Sequence, residues 1–308
     1  MGDAPEHWEV WQVGHFASVG NESAPSRGNL AYWSGGTERS SHGEDHFRGA
    51  AEEQPHATRP RLAYCPHMAA QALQPVTGLL RTLALPLACE SDAVLETYGL
   101  TRAYGPVVAL APLDLRVEGG ECVALMGPNG SGKTTAAALI CGLLEPTGGV
   151  AEVCGFSIHQ EPDAVSARAH LAYVPDTPAL YDDMTVSDHL HLVAAAHGVA
   201  GDDLEEHCDQ LLVALGLEER AMFLPTQLSR GMRQKTAIAC ALIRPFSLLV
   251  LDEPVVGLDR RSVDVLKGIV REALGSGRAV LLMTHSDAFA DEVATRVLHI
   301  EEGHVVER

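Results

Sequence analysis

Lysine is nearly missing from this sequence: its 308 residues hold three, Lys133, Lys235 and Lys267. With a formal net charge of −19 there is no basic block to follow a phosphate backbone, which disfavours nucleic acid as the main partner. Paired cysteine motifs are missing too. The seven cysteines are scattered without a C-x-x-C. Cys122, Cys141, Cys154 and Cys240 stand in apolar segments as small core residues, a pattern that suits a reducing compartment better than a disulfide framework. No apolar run approaches the ~18–20 residues of a membrane-spanning helix. The nearest, Leu79 to Ala88, is broken by Arg81 and Pro86. It runs into Leu87-Ala88-Cys89, faintly like a lipoprotein cleavage site but deep in the chain, so the chain reads as soluble. No internal repeat is visible. The apolar content of 46% nevertheless suffices for a packed core and excludes wholesale disorder.

Residues 1 to about 92 differ from the rest. They are rich in Gly, Ser, Pro, His and Glu and sustain no period of 2 or 3.6. They hold all three tryptophans, Trp8, Trp11 and Trp33, and six histidines without metal-ligand spacing. This stretch reads as a low-complexity, disordered extension, or as a start assigned too early with Met68 as one possible origin.

What is present begins with Gly127-Pro128-Asn129-Gly130-Ser131-Gly132-Lys133-Thr134-Thr135, a G-x-x-x-x-G-K-T phosphate loop. The apolar run Glu121 to Met126 before it suits a buried strand, and Ala136 to Ile140 after it suits a helix. The bare pattern also fits a Gly-rich turn; the strand and helix on either side favour the loop. Gly127, Gly130 and Gly132 allow the close backbone approach by which N–H groups wrap a polyphosphate at a helix N-terminus. Lys133 is placed to reach the β- and γ-phosphates, and the Thr134 hydroxyl to ligate Mg²⁺.

Further along, Thr185-Val186-Ser187-Asp188 predicts a capping box opening a helix to about His197, and a second helix runs from about Leu204 to Leu215, stopped by Gly216. His189 and His191, two positions apart, cannot share a helix face and read as surface residues. Beyond residue 230, helices alternate with the strands Leu248 to Leu251, Ala279 to Met283 and Val297 to Ile300, which implies a parallel sheet covered on both faces. The strand Leu248 to Leu251 runs into Asp252-Glu253-Pro254. A strand so apolar carries charge where its C-terminal end opens on a ligand. Asp252 could then bind Mg²⁺, and Glu253 could polarise a water for attack on a γ-phosphate. Taken alone, the acidic pair fits equally well as the cap of the next helix.

With these motifs in this order, residues 93–308 resemble the nucleotide-binding subunit of an ATP-binding cassette (ABC) transporter. Leu228-Ser229-Arg230-Gly231-Met232 is similar to the family signature L-S-G-G-Q, Gly257-Leu258-Asp259 to the D-loop, and Thr284-His285 to the switch histidine. Tyr104 sits where the family stacks an aromatic ring on adenine. The resemblance implies a P-loop RecA-like α/β core, an antiparallel β-subdomain before it, and an inserted helical subdomain at about 176–232. It implies ATP and Mg²⁺ as cofactors, with ATP sandwiched between Lys133 of one subunit and Ser229 of a second, Asp259 linking the two sites and His285 orienting the attacking water. It also implies a separate transmembrane permease and a place on the cytoplasmic face of the membrane. Two departures stand out. Asp176 occupies the position where the family's Q-loop has Gln, and Arg230 and Met232 replace Gly and Gln in the signature. The short signature form and the end of the chain just after the last strand resemble exporter-type subunits. The alternative is a soluble cassette ATPase acting on ribosomes or DNA, whose members carry two cassettes or long coiled coils not found here.

Overall fold

The computed structural model describes residues 87, 89, 91–201 and 203–306. The expected extension therefore lies outside the described residues apart from a few positions at its end.

The described chain opens with an antiparallel hairpin, β1 (Ala93–Tyr104) and β2 (Val107–Glu118). The phosphate-loop unit follows as β3 (Cys122–Met126) and α1 (Lys133–Ile140). Next, β4 (Gly148–Val153) returns to pair with β1, and β5 (Phe156–Ser157) with β4, completing a four-stranded sheet of order β2-β1-β4-β5. After α2 (Asp163–Ala169) and β6 (Leu171–Val174) come three helices without an intervening strand: α3 (Val186–Ala196), α4 (Leu204–Leu215) and α5 (Arg230–Leu242). The chain then alternates through β7 (Leu248–Asp252), α6 (Arg260–Gly275), β8 (Ala279–Thr284), α7 (Asp287–Val293), β9 (Arg296–Glu301) and β10 (His304–Val306).

The second sheet has the order β10-β9-β3-β8-β7-β6 and is parallel except for β10. Every residue of β3, β7 and β8 is buried, which explains why these segments read as continuous apolar runs rather than alternating ones. Successive side chains serve opposite faces. Cys122, Ala124, Met126, Leu249, Leu251, Val280 and Leu282 pack with the helices α3 to α7, whereas Val123, Leu125, Leu248, Val250, Leu281 and Met283 pack with α1 and the antiparallel sheet. The parallel sheet is thus filled on both sides, and its strand ends are the free surface left for chemistry.

Helix starts follow their local chemistry. Thr185 accepts from Asp188 N–H while Asp188 accepts from Thr185 N–H, the full reciprocal cap, and α4 ends on Gly216 in the left-handed region.

Two expectations need correction. His189 is buried rather than on the surface: its Nδ1 donates to Thr185 O at 2.7 Å and its Nε2 accepts from Tyr181 N–H at 2.9 Å. The two histidines do point to different faces, but one of those faces is the inside; His191 points outward, 2.8 Å from Glu205. Cys154 is a buried residue, yet it is disulfide-bonded to Cys89, 65 positions away, a pairing that spacing could not reveal. The short elements α2 and β5 were not anticipated, since neither is long enough to show a period.

Candidate active site

Strand order assembles the site. β8 lies between β3 and β7, so the C-terminal ends of three neighbouring strands deliver the phosphate loop, the acidic pair and Thr284-His285 to one edge of the sheet. In register, Met126 is opposite Thr284, and Asp252 is opposite Met283. Ligands of open α/β sheets bind at such an edge.

The loop itself leaves Pro128, Asn129 and Gly130 exposed at its mouth, with Thr134 exposed on the first turn of α1 and Thr135 half-buried. Ser131 is buried and its hydroxyl finds no partner. Gly132 is held at φ 107°, and a Cβ there would lie 2.6 Å from the Ala109 carbonyl of β2, so this position excludes other residues on both counts. Lys133 folds back over the loop: Nζ donates to Gly127 O at 2.7 Å and to Pro128 O at 3.0 Å.

Asp252 is completely buried, and neither carboxylate oxygen has a hydrogen-bond partner. Burial pushes its pKa up to about 6, and the Thr134 hydroxyl alongside opposes the shift. A buried carboxylate without a partner is costly. A hard cation bound there satisfies it, and one carboxylate plus one hydroxyl is the small set of protein oxygens that Mg²⁺ uses when it also takes phosphate oxygens. The residues present fit that ion.

Glu253 follows in the left-handed region at φ 46°, a strained setting for a residue with a Cβ. This turn aims its side chain at the loop. Oε2 accepts from His285 Nδ1 at 2.8 Å, from Thr284 Oγ1 at 3.3 Å and from His285 N–H at 3.4 Å, while Oε1 lies 3.6 Å from Lys133 Nζ. Lys133, Asp252, Glu253 and His285 thus converge at one point.

Tyr104 ends β1 with half its surface exposed, and the Arg102 guanidinium lies 4.5 Å from its ring centroid, so the ring is a stacking platform already used by a cation. The signature residues lie elsewhere. Ser229 caps α5, accepting from Met232 N–H at 3.2 Å, and is itself exposed. Gln234 of α5 donates to Pro175 O at 3.1 Å, placing the start of that helix beside the end of β6. Since β6 is three strand positions from β3, roughly 14 Å of sheet separates the two anion-binding features. Asp259 caps α6 and lies 2.7 Å from Lys235 Nζ, a contact that lowers its pKa well below the usual carboxylate range. Asp176 is bound by Arg230, a contact no sequence signal indicated because 54 positions separate them.

A glycine-rich loop between strand and helix, with an acidic pair and a histidine on adjacent strand ends, defines a P-loop nucleoside triphosphatase. A family model described as ABC transporter matches residues 110–256. The chain is 32% identical over 213 residues to the ABC-type transporter ATP-binding protein EcsA of Bacillus subtilis, a match covering 69% of this chain and 85% of that one. It is 34% identical over 217 residues to the Nod factor export ATP-binding protein I of Sinorhizobium fredii, covering 70% of this chain and 63% of that one. A solved ATP-binding subunit of an ABC transporter superposes with a TM-score of 0.64 at 35% identity, over 69% of this chain and 88% of that one. The chain belongs to the family of ABC transporter ATP-binding subunits. It is an ATPase that powers transport, which leaves the ribosomal or DNA-directed alternative without support. No helix among the described residues is long and apolar enough to cross a membrane, and the matched relatives are named as ATP-binding proteins of transporters.

Proposed function

We propose that two copies of this chain, or one copy and a related subunit, face each other and enclose ATP, each lending the half-site the other lacks. The observation that carries this reading is the separation within one chain of the phosphate loop from the exposed Ser229 cap, both of which offer backbone N–H groups to an anion. Within each composite site Lys133 leaves Gly127 O and Pro128 O for the β- and γ-phosphates. Ser229 and the N–H groups at the start of the partner's α5 close on the γ-phosphate from the far side, with the Gly231 backbone among them. Arg230 and Met232 act in this signature segment through their positions, Met232 by the N–H that holds Ser229. Tyr104 exchanges its Arg102 contact for the adenine ring. Asp259 stands at the facing surface where the two sites meet.

The chemistry falls to Glu253 and His285. Glu253 accepts a proton from the attacking water, and His285, already oriented by Glu253, supports the γ-phosphate oxygens. Thr134 and Asp252 would hold Mg²⁺, which neutralises phosphate charge when bound.

The domain reading follows the same assignment: residues 93–308 form the nucleotide-binding domain, its helical subdomain spanning about 176–232, and residues 1–92 form an extension. The transmembrane partner is a separate permease that holds the subunit on the cytoplasmic face of the membrane. A groove of about 200 Å³ beside Pro175, lined by Tyr173, Leu180 and Val193 together with Arg168, His197 and Arg244, is the surface we assign to a permease segment. Relatives named for Nod factor and peptide export support the export direction.

Mixing tests the composite site. Lys133→Ala damages the loop half and Ser229→Glu the signature half, and each alone abolishes turnover. In an equimolar mixture half of the dimers are mixed and each retains one intact site of two, so about a quarter of wild-type activity returns if the sites act independently. No recovery on mixing rejects a site shared between two copies of this chain.

A further inference from the structure

Two of the positions at which the chain departs from the family pattern face each other. Asp176 lies two residues beyond β6 and Arg230 opens α5; Arg230 Nη2 donates to Asp176 Oδ1 at 3.3 Å. Both are surface residues, and an isolated exposed pair of this kind contributes little. This pair is not isolated. The buried Gln234, one turn along α5, donates to Pro175 O at 3.1 Å, so the helix grips the same loop through its backbone as well.

The other flank of the helix is fastened in the same way. Gly231 abuts the loop before α6 so closely that a Cβ there would lie 2.1 Å from the Gly257 carbonyl. Lys235, its side chain only 13% exposed, reaches Asp259 Oδ2 at 2.7 Å. A rigid helix pinned by a charge and a close backbone contact on each side moves with whichever loop moves, and Ser229 is its cap.

We propose that Arg230 and Lys235 are positioning residues that fasten α5 to the loop at 175–176 and to the loop at 257–259, and that Asp176 serves as the counter-ion of Arg230. A displacement of either loop is thereby passed to Ser229. The two departures from the family pattern are then one change, a glutamine at one position and a glycine at the other exchanged for an ion pair. The inference rests on the reading of Ser229 as a γ-phosphate contact, and it assigns a role to residues outside the phosphate loop and the acidic pair.

Charge exchange in the full chain tests it. Arg230→Asp sets two carboxylates together and Asp176→Arg two cations, and each single change lowers kcat by about fivefold to tenfold while KM for ATP stays within about twofold, because the Lys133 loop is untouched. The doubly exchanged chain returns to within about twofold of wild type. A double variant no better than the worse single one overturns the proposal, as do single variants indistinguishable from wild type. If a reversed variant loses its cooperative melt, Arg230→Gln and Asp176→Asn take its place: each costs about threefold in kcat and their combination costs no more than either, whereas multiplied losses overturn the proposal. The mixing experiment fails or succeeds independently. Recovery on mixing with multiplied charge effects removes the fastening alone, and charge rescue without recovery on mixing removes the shared site alone.

Discussion

Glu253 Oε2 accepts a 2.8 Å hydrogen bond from His285 Nδ1. This contact fixes the direction of the carboxylate, since the same oxygen also accepts from Thr284 Oγ1 and from the His285 N–H, and it leaves Oε1 facing Lys133 without a hydrogen-bond partner. The free oxygen is the one available to a water beside the γ-phosphate.

Replacing Glu253 by Gln keeps the shape and the His285 contact but removes the proton acceptor. ATP binding is expected to stay within about threefold of wild type, while kcat falls by about 10²–10⁴. Single-turnover hydrolysis alongside equilibrium nucleotide binding checks both halves. Near-normal turnover in this variant removes Glu253 from the chemistry.

Lys133→Ala has two separable consequences. The polyphosphate loses its main cation, so ATP affinity is expected to fall by at least about 100-fold. The buried Glu253 carboxylate also loses its cationic neighbour at 3.6 Å, which costs about 1–3 kcal/mol of stability. Adding Glu253→Gln to Lys133→Ala recovers the stability and not the affinity, as chemical denaturation and nucleotide titration would show. A stability loss that persists in the double variant contradicts the ion-pair account.

Much of this site was legible in the sequence, for reasons specific to each residue. The phosphate loop is a local device, and the buried strands around it announce themselves as apolar runs ending in glycine or in carboxylates. Thr185 and Ser229 are caps whose partners lie three positions away. What could not be read is whatever depends on distant chain segments meeting. The pairing of Arg230 with Asp176, the disulfide between Cys89 and Cys154, and the folding of Arg102 over Tyr104 each depend on tertiary placement or rotamer choice. His189 differs for another reason: the spacing of two histidines says that they lie on different faces of α3, not which of those faces packs on the core. The contact of Glu253 with His285 is tertiary as well, since 32 positions and a whole helix separate them.

Acid is expected to destabilise the fold through three histidines, His170 buried and His197 and His159 half-buried. Burial, with the Arg244 charge nearby, lowers the pKa of His197 to about 3, and burial also lowers that of His170 and of His159. Each of these groups takes up a proton more readily when the chain is unfolded, near pH 6.5. The unfolded state therefore binds more protons below that pH, so stability is full above about 6.5 and is lost progressively as pH falls toward the folded values. For His197 the loss at pH 5.5 is at most about 1–2 kcal/mol. Urea melts from pH 7.5 to 5 should show it, and His197→Gln should flatten the slope. A profile unchanged by that substitution assigns the acid sensitivity to other groups.

Gly231→Ala tests the contact that sets the cap of α5. Nothing about a helical alanine is unfavourable in itself, and intrinsic propensity alone would favour the change. The obstacle is the Gly257 carbonyl, 2.1 Å from where the new methyl would stand, and Gly257 is itself held at φ 80°. One of the two backbones must give way, and the movement separates α5 from the loop carrying Asp259, stretching the 2.7 Å contact of Lys235 with Asp259. The phosphate loop lies on another part of the sheet, so nucleotide affinity of the free chain is expected to remain within about twofold while turnover falls by about 10-fold or more. Overpacking of this kind costs about 1–3 kcal/mol, a shift in thermal midpoint that calorimetry resolves. Lowered affinity with unchanged turnover would place the role of Gly231 in the loop half of the site instead.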